Sequence, residues 1–352
     1  MFVICENDID NPSVLLYICT YRTGSIRTCF VLPLYRTGSI RAERIENMKD
    51  KKKTIRRILH GWQLYLLLLP ALIWILIFAY YPMYGLLIAF KDFKARVGIT
   101  ASPWADPFFK HFAQFFETSI AVTAIRNTVV ISLLSLVIAF PVPILFALLL
   151  NQVKNAGMRK AVQTISYAPY FLSSVIIISI INLLFSTEGM VNGIISSFSG
   201  KVIHFTSMAE WFRPLYIGST IWQTMGFNAV IYIAALVGIS PDYYEAATLD
   251  GASAFQKIRY IEIPLIMPTI ILMLILSVGN IMNVGYEKAY LMQNGTNTTV
   301  SELISTYVYK VGLQSAQYSF ATAVGLFNSA VNFIVLVIAN RIARRCSDIS
   351  IF

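Results

Sequence analysis

The chain has 352 residues, of which 57% are hydrophobic and only 13% are charged, and its formal net charge is +10. Soluble domains carry about 25% charged residues, so this composition excludes an ordinary soluble protein and indicates a polytopic membrane protein. The basic residues lie beside long apolar runs rather than on a basic face with interleaved aromatic residues, which argues against a nucleic-acid-binding protein. They are better interpreted as signals of membrane topology.

The first 48 residues contain the heptapeptide YRTGSIR twice, starting at Tyr21 and at Tyr35. Two short copies cannot build a solenoid, and the apolar stretches around them are too short to span a bilayer. We predict a poorly ordered N-terminal extension over residues 1–48, without an assigned role. The last residues, 346–352, are predicted to be a C-terminal tail.

Six apolar runs are each long enough to cross the hydrocarbon core of a bilayer, which is about 30 Å thick. They cover about residues 61–89, 123–150, 161–185, 215–239, 265–286 and 316–339. This pattern predicts an all-α membrane protein with a six-helix domain over residues 49–345 and both termini on one side. Lys and Arg are more frequent in the segments on that side, so it is predicted to be cytoplasmic.

The longer loops on the opposite side are rich in aromatic residues, which argues against disorder. These side chains either rest at the membrane interface as an aromatic belt or form part of a landing surface for an external binding protein. They include Trp104, Phe108, Phe109, Phe112 and Trp211.

The second to fifth runs contain amide and aromatic side chains but almost no ionisable residue. This argues against proton coupling and against an intramembrane hydrolase. Because buried amides need partners, we expect a path for an uncharged polar solute; alternatively, the amides hydrogen-bond neighbouring helices. The predicted path residues are Trp222, Gln223, Asn228, Asn280, Asn283, Tyr286, Asn328 and Asn332.

A polar insert, residues 240–264, separates the fourth and fifth apolar runs, and its sequence predicts two short helices joined by a hinge. Ser240 followed by Pro241 is typical of a capped first helical turn. Gly251 can adopt the left-handed conformation that ends a helix. A rigid insert of this kind can transmit the push of a soluble partner to the membrane, whereas a flexible loop cannot.

The second helix of the insert is predicted from its own cap and stop signals. Ser253 and Gln256 have the spacing of a capping box, and Pro264 is expected to end the helix. The four cysteines form no CxxC pair and the three histidines are scattered, so neither a metal site nor a disulfide framework is predicted.

The insert resembles the EAA coupling motif of permease subunits of ATP-binding-cassette importers. The matching residues are Glu245, Ala246, Ala247, Asp250, Gly251, Ala252, Phe255, Ile261 and Pro264. Over about residues 50–350 the chain is also similar to the carbohydrate branch of these permeases, in its polysaccharide-type subfamily. The stretches YPMYGLLIAFKDFK from Tyr81 and NVGYEKAYLM from Asn283 are among those that carry this similarity.

The resemblance implies a type I importer fold and a transport subunit rather than an enzyme. Its partners would be a second homologous permease, two cytoplasmic ATPase subunits that the motif residues contact, an extracellular solute-binding lipoprotein and membrane lipid. The chain itself has no GxxxxGK[ST] loop, so no cofactor is expected on it, and ATP and Mg would be used by the ATPases. The implied function is oligosaccharide import across a bacterial cytoplasmic membrane. An importer of another small polar solute and a self-contained channel or facilitator stay open as alternatives.

Overall fold

The computed structural model describes residues 2–5, 15–22, 25–33 and 62–346. These residues fall into two compact units, which divide after Tyr81. Most of the predicted C-terminal tail and much of the N-terminal extension, including the second YRTGSIR copy, lie outside the described residues.

The N-terminal extension contains an antiparallel sheet of three strands, where the sequence predicts poor order. The strands are β1 (Phe2–Cys5), β2 (Leu15–Arg22) and β3 (Ser25–Pro33), and β2 lies in the middle. Arg22 is paired with Ser25, so the described residues of the first YRTGSIR copy belong to β2 and β3. The β-branched and aromatic residues of β2 and β3 favour strands, although their apolar runs are too short to span a membrane.

Six helical segments of the described chain are long and apolar enough to cross a membrane, as predicted. They are Tyr65–Phe90, Ser119–Asn151, Ser174–Ser199, Ala209–Val237, Ala254–Gly279 and Tyr318–Arg344. The fourth has 29 residues, which is about 44 Å at 1.5 Å per residue and exceeds the bilayer core of about 30 Å. The fold class is therefore an all-α membrane protein over residues 62–346.

The helices carry the following labels in chain order. They are α1 (Trp62–Ile75), α2 (Tyr81–Met83), α3 (Gly98–Ala101), α4 (Lys110–Glu117), α5 (Ser119–Leu134), α6 (Pro141–Asn151), α7 (Ala156–Tyr167), α8 (Ser174–Phe185), α9 (Met190–Ser199), α10 (Ala209–Val237), α11 (Pro241–Leu249), α12 (Ala254–Lys257), α13 (Ile263–Gly279), α14 (Tyr286–Met292), α15 (Thr298–Ser301), α16 (Ile304–Tyr309) and α17 (Tyr318–Cys346). Turns of π-helix occur at Leu76–Tyr80, Ser135–Ala139, Ile258–Glu262 and Lys310–Gln314, and 3₁₀-helix occurs at Tyr84–Phe90 and Ala168–Phe171.

The third predicted span, 161–185, is broken into two helices in the structure. After α7 the chain passes through a 3₁₀ turn that contains Pro169, which has no N–H to continue an α-helix. Ser173 then caps α8 by accepting a hydrogen bond from the N–H of Ile176 at 3.4 Å. The membrane-length segment accordingly begins at Ser174 and extends through α9, and α7 has no buried residue.

The fifth span begins earlier than predicted, because Pro264 does not end a helix. The helical chain continues from α12 through the π-helical turn Ile258–Glu262 into α13, and Pro264 lies in the first turn of α13. In a regular α-helix a proline clashes with the carbonyl four residues earlier. The π-helical turn directly before Pro264 alters the hydrogen-bond register, so the helix continues without a stop.

Two apolar clusters of the second unit hold α10 against its neighbours. One cluster, contributed by α6, α10 and α13, consists of Ala147, Leu148, Ala229, Tyr232, Leu236 and Ile266. The other, contributed by α5, α10, α14 and the segment before α16, consists of Ile131, Phe212, Tyr216, Ile217, Ala289 and Leu303. The span α10 is therefore packed near both of its ends.

Candidate coupling surface and solute path

The first half of the polar insert has the capped helix and hinge that the sequence predicts. The Ser240 hydroxyl accepts a hydrogen bond from the N–H of Asp242 at 3.4 Å, and Pro241 is the first residue of α11. Gly251 has φ of +73°, in the left-handed region that favours glycine. The N–H of Ala252 donates to the carbonyl of Ala247 at 2.9 Å, which closes the hinge.

The second half begins with the predicted capping box. The Gln256 side chain accepts from the N–H of Ser253 at 2.7 Å, and the Ser253 hydroxyl accepts from the N–H of Gln256 at 3.4 Å. Lys257 Nζ donates to the Thr248 hydroxyl at 2.8 Å. This bond joins α12 to α11, so the two short helices are held together by side chains as well as by the hinge.

The resulting helical hairpin presents an exposed surface with large apolar side chains. Leu249 is 90% exposed and Phe255 is 70% exposed. Of the predicted coupling residues, Glu245, Ala246, Asp250, Gly251 and Pro264 are also exposed, whereas Ala247, Ala252 and Ile261 are half-buried. Exposed apolar groups rimmed by polar ones are typical of protein contact sites, and the sequence interpretation did not single out Leu249.

A buried carboxylate, Glu262, fastens this hairpin to the second span. Its Oε1 accepts hydrogen bonds from Asn151 Nδ2 at 2.7 Å, Gln152 Nε2 at 2.8 Å and the Tyr244 hydroxyl at 3.3 Å. Glu262 is fully buried, and its Oε2 has no hydrogen-bond partner in the described part of the chain. Burial, and secondarily the nearby carboxylate, raise the pKa of Tyr244 above its ordinary value, so its hydroxyl keeps its proton to donate.

The sequence interpretation did not select Glu262. Its partners Asn151 and Gln152 lie more than a hundred positions earlier in the chain, so no local pattern indicates the contact. The available signal was its position: an acidic residue between the polar insert and an apolar run, where burial requires hydrogen-bonding partners.

A cavity of about 440 Å³ lies between the second, fourth and fifth spans. From α10 it is lined by side chains at intervals of four residues, Tyr216, Thr220, Thr224, Asn228 and Tyr232. Residues four apart share one face of a helix, so this stripe gives α10 a continuous polar and aromatic face towards the cavity. The stripe was readable in the sequence, but only Asn228 among its members was predicted.

The other walls of the cavity are also neutral. Ser132 lines it with a buried hydroxyl that has no hydrogen-bond partner among the described residues, and Ser277, Asn280 and Asn283 line it from the fifth span and the turn after it. Hydroxyls and amides can both donate and accept hydrogen bonds. The walls therefore suit a hydroxyl-rich solute.

Asn328 and Asn332 do not line this cavity but hold Asn283, which does; Asn328 lines a separate cavity of about 550 Å³ together with Tyr286. Asn283 Oδ1 accepts from Asn328 Nδ2 and from Asn332 Nδ2, each at 3.1 Å. Asn332 Oδ1 in turn accepts from the N–H of Met282 at 2.9 Å. These two residues of α17 thus make the interhelical hydrogen bonds that the sequence left as an alternative to a solute-facing role.

The remaining predicted path residues lie beside this cavity rather than in its wall. Gln223 and Tyr286 line a neighbouring cavity of about 370 Å³, which shares Tyr216, Thr220 and Gly285 with the first. Tyr286 is stacked on Tyr309 with ring centroids 5.1 Å apart. Trp222 is 45% exposed and is not among the residues that line either cavity.

Lys288, which lies two residues beyond the predicted fifth span, is buried in α14. Its Nζ donates to the Thr220 hydroxyl at 3.0 Å and to Gln223 Oε1 at 3.4 Å, and it lies 5.6 Å from the centre of the Tyr216 ring. Burial lowers the pKa of Lys288 to about 8, so the ammonium group is still protonated at pH 7.

Aromatic residues of the predicted first outer loop stack on one another and on Phe90 at the end of the first span. The Phe108 ring lies 4.8 Å from that of Phe90 and 5.1 Å from that of Phe109, and Trp104 lies 5.8 Å from Phe108. The packing accounts for an ordered loop. It is equally compatible with an interface belt and with a surface for a binding protein.

Six membrane-length helices, a neutral polar cavity lined by three of them and an exposed helical hairpin between the fourth and fifth define a multi-pass transport permease. The chain belongs to the family described as the binding-protein-dependent transport system inner membrane component, which matches residues 139–348. That match includes the whole polar insert. In this family the chain is the membrane subunit, and ATP hydrolysis is the task of a separate protein.

Close relatives with known descriptions support this membership over most of the chain. The polygalacturonan/rhamnogalacturonan transport system permease protein YteP of Bacillus subtilis (strain 168) is 41% identical over 305 residues, which is 86% of this chain and 94% of that protein. A chain in the crystal structure of a bacterial ABC transporter involved in the import of the acidic polysaccharide alginate is 42% identical, with a TM-score of 0.76, over 83% of this chain and 99% of that one. A chain of the alginate transporter in complex with alginate pentasaccharide-bound periplasmic protein is 41% identical, with a TM-score of 0.77, over 84% and 99%.

Proposed function

We propose that this permease moves an oligosaccharide, delivered by an external solute-binding protein, across a bacterial cytoplasmic membrane by alternating access. The observation that carries the proposal is the stripe of Tyr216, Thr220, Thr224, Asn228 and Tyr232 facing the 440 Å³ cavity. Its hydroxyls and amide can exchange hydrogen bonds with sugar hydroxyls, and the tyrosine rings offer apolar faces for sugar C–H groups. The transport of polygalacturonan, rhamnogalacturonan and alginate by similar proteins supports the same class of solute.

The proposed assembly contains a second homologous permease and two cytoplasmic ATPase subunits, which bind and hydrolyse ATP with Mg. Both termini of this chain are proposed to be cytoplasmic, since Lys and Arg are enriched on that side. The exposed hairpin surface, with Leu249 and Phe255 at its apolar centre, would enter a cleft of one ATPase. Glu245 offers it a carboxylate, while the small side chains of Ala246 and Ala247 allow close approach.

Motion of the ATPase would reach the spans along two connections. Along the chain, α12 continues through the π-helical turn into α13 without a break. Across the bundle, Glu262 holds Tyr244 of α11 and Asn151 at the end of α6 on one carboxylate oxygen. Displacement of the hairpin would therefore move the second and fifth spans together, and both spans line the cavity.

The test is uptake of a labelled oligosaccharide into vesicles that contain the complete importer, with and without ATP. Gly251→Pro and Glu245→Lys are expected to abolish ATP-dependent uptake while membrane insertion stays normal. Matched controls are Gly193→Ala and Glu188→Lys, because a Cβ at Gly193 meets no atom and Glu188 is exposed away from the hairpin. Undiminished uptake by the two hairpin variants would contradict the coupling role, and solute flux without ATP would identify a channel or facilitator instead.

A further inference from the structure

Lys288 is a buried cation that has no anionic partner among the residues that the structure describes. It is 8% exposed, and its two hydrogen-bond acceptors, Thr220 and Gln223, are neutral. Lys110 and Lys310 form ion pairs elsewhere in the described part of the chain, and neither pair involves Lys288. Glu287 borders the same cavity but makes no ion pair with Lys288.

Two acceptors do not satisfy an ammonium group, which has three N–H donors. The aromatic face of Tyr216 at 5.6 Å contributes some attraction to the cation. Buried charges in proteins are ordinarily paired, because removal of a charge from water is costly. A lysine kept in such a place, with one donor left over, is suited to bind an anionic group from outside the chain.

The position of Lys288 gives a solute access to it. Lys288 borders the 370 Å³ cavity, whose lining residues Tyr216, Thr220 and Gly285 also belong to the 440 Å³ cavity. A solute in the larger cavity therefore lies beside the residues that hold the ammonium group. The remaining walls of the larger cavity are neutral, so no charged group of that cavity neutralises the ammonium group.

We propose that Lys288 is a specificity-determining residue that pairs with a carboxylate of the solute, so that the importer selects acidic oligosaccharides built from uronic acids. This inference rests on the proposed function and narrows its substrate class. The expectation of an uncharged solute rested on the neutral amide and aromatic residues of the apolar runs, and the burial of Lys288 beside the cavity replaces that expectation. A carboxylate can accept the free N–H of Lys288 in a charge-assisted hydrogen bond, while Tyr286 in the same cavity can contact the sugar ring.

The experiment compares two probes of equal length, trigalacturonate and the neutral trisaccharide made by reducing its carboxyl groups, at pH 7. Uptake of each is measured in vesicles containing the complete importer with its ATPases and binding protein. The variants are Lys288→Met, which keeps length without charge, and Lys288→Arg, which keeps the charge. Lys201→Met, at an exposed lysine, is the matched control.

The wild type and Lys201→Met are expected to prefer the acidic probe. A hydrogen bond to a charged group contributes about 1.5–3 kcal/mol. Lys288→Met is therefore expected to lower the ratio of acidic to neutral uptake about ten- to a hundredfold. Lys288→Arg is expected to retain most of the preference for the acidic probe. If Lys288→Met leaves the ratio unchanged, or lowers the uptake of both probes equally with normal membrane insertion, the role of Lys288 is overturned. Neither result would contradict oligosaccharide import. ATP-dependent uptake of neither probe by the wild type would instead overturn the proposed function.

Discussion

The Oε1 atom of Glu262 lies 2.7 Å from Nδ2 of Asn151, which joins the base of the fifth span to the end of the second. Glu262 is fully buried, and the same oxygen also accepts hydrogen bonds from Gln152 and Tyr244. One side chain thus connects three helical elements at the place where the hairpin meets the membrane domain. Its loss should affect both stability and coupling.

Glu262→Ala is expected to lower the free energy of unfolding by about 1.5–3 kcal/mol, because the donors of Asn151 and Gln152 lose a charged acceptor. It should also uncouple ATP hydrolysis from uptake. Glu262→Gln keeps an oxygen acceptor and should lose less on both counts. Unfolding in detergent measures the loss of stability, and ATP-dependent uptake measures the loss of coupling. Glu188→Ala, at an exposed glutamate, is the control. Equal behaviour of Glu262→Ala and this control would contradict the role of Glu262 in joining the hairpin to the spans.

The local features of the hairpin could be predicted from the sequence because each depends on residues within a few positions. The Ser240 cap, the left-handed Gly251 and the Ser253–Gln256 capping box are of this kind, and all three are confirmed. The predicted number of spans is also confirmed, because the length and hydrophobicity of each run can be measured directly in the sequence. The predicted stop at Pro264 is wrong because a π-helical turn, which no sequence rule anticipates, directly precedes it.

The contacts around the cavity could be predicted only in part. The spacing of Asn328 and Asn332 places them on one face, but the sequence does not tell whether that face meets solute or another helix. The structure pairs both with Asn283. Likewise Glu262 and Lys288 are buried by residues far away in the chain, and burial of a charge cannot be read from its neighbours.

Gly251 should be more tolerant of asparagine than of alanine. Its φ of +73° costs a residue with a Cβ about 1–2 kcal/mol, and asparagine is among the residues that adopt this conformation more readily. Gly251→Ala is therefore expected to reduce ATP-dependent uptake more than Gly251→Asn does. Uptake and ATPase rates measured on the same vesicles check the order, and the reverse order would show that backbone conformation is not the constraint.

Gly226 is expected to tolerate no side chain, because α10 and α7 approach closely there. A Cβ at Gly226 would lie 2.3 Å from the carbonyl oxygen of Ser166, and a backbone atom cannot move aside as a flexible side chain can. Forcing extra volume into a packed site costs about 1–3 kcal/mol. Gly226→Ala should lower the thermal unfolding midpoint in detergent.

Gly218→Ala is the matched control, because Gly218 belongs to the same helix and a Cβ there would meet no atom within 4 Å. Alanine is favoured over glycine inside a helix by about 1 kcal/mol, so this variant should be at least as stable as the wild type. If both variants unfold at the same temperature, the close approach of α7 and α10 is not a stabilising contact.

Asn332→Leu should affect solute uptake through Asn283, which it holds at the cavity wall. The substitution removes a donor to Asn283 Oδ1 and the acceptor for the N–H of Met282. Interhelical hydrogen bonds of this kind in membrane proteins contribute about 0.6 kcal/mol on average and at most about 1.7, so the protein is expected to fold with a modest loss of stability. Asn328 then remains as the donor to Asn283 Oδ1, so the amide is held less firmly, and we expect a higher solute concentration for half-maximal uptake.

Asn328→Leu separates this explanation from a simple loss of packing. It removes the other donor to Asn283 Oδ1, at the same distance of 3.1 Å, but leaves the Met282 N–H bonded to Asn332. If the orientation of Asn283 controls solute binding, both variants should raise the half-saturating concentration, and only Asn332→Leu should also lower the unfolding midpoint clearly. A change in stability without a change in uptake would assign both residues to interhelical packing alone.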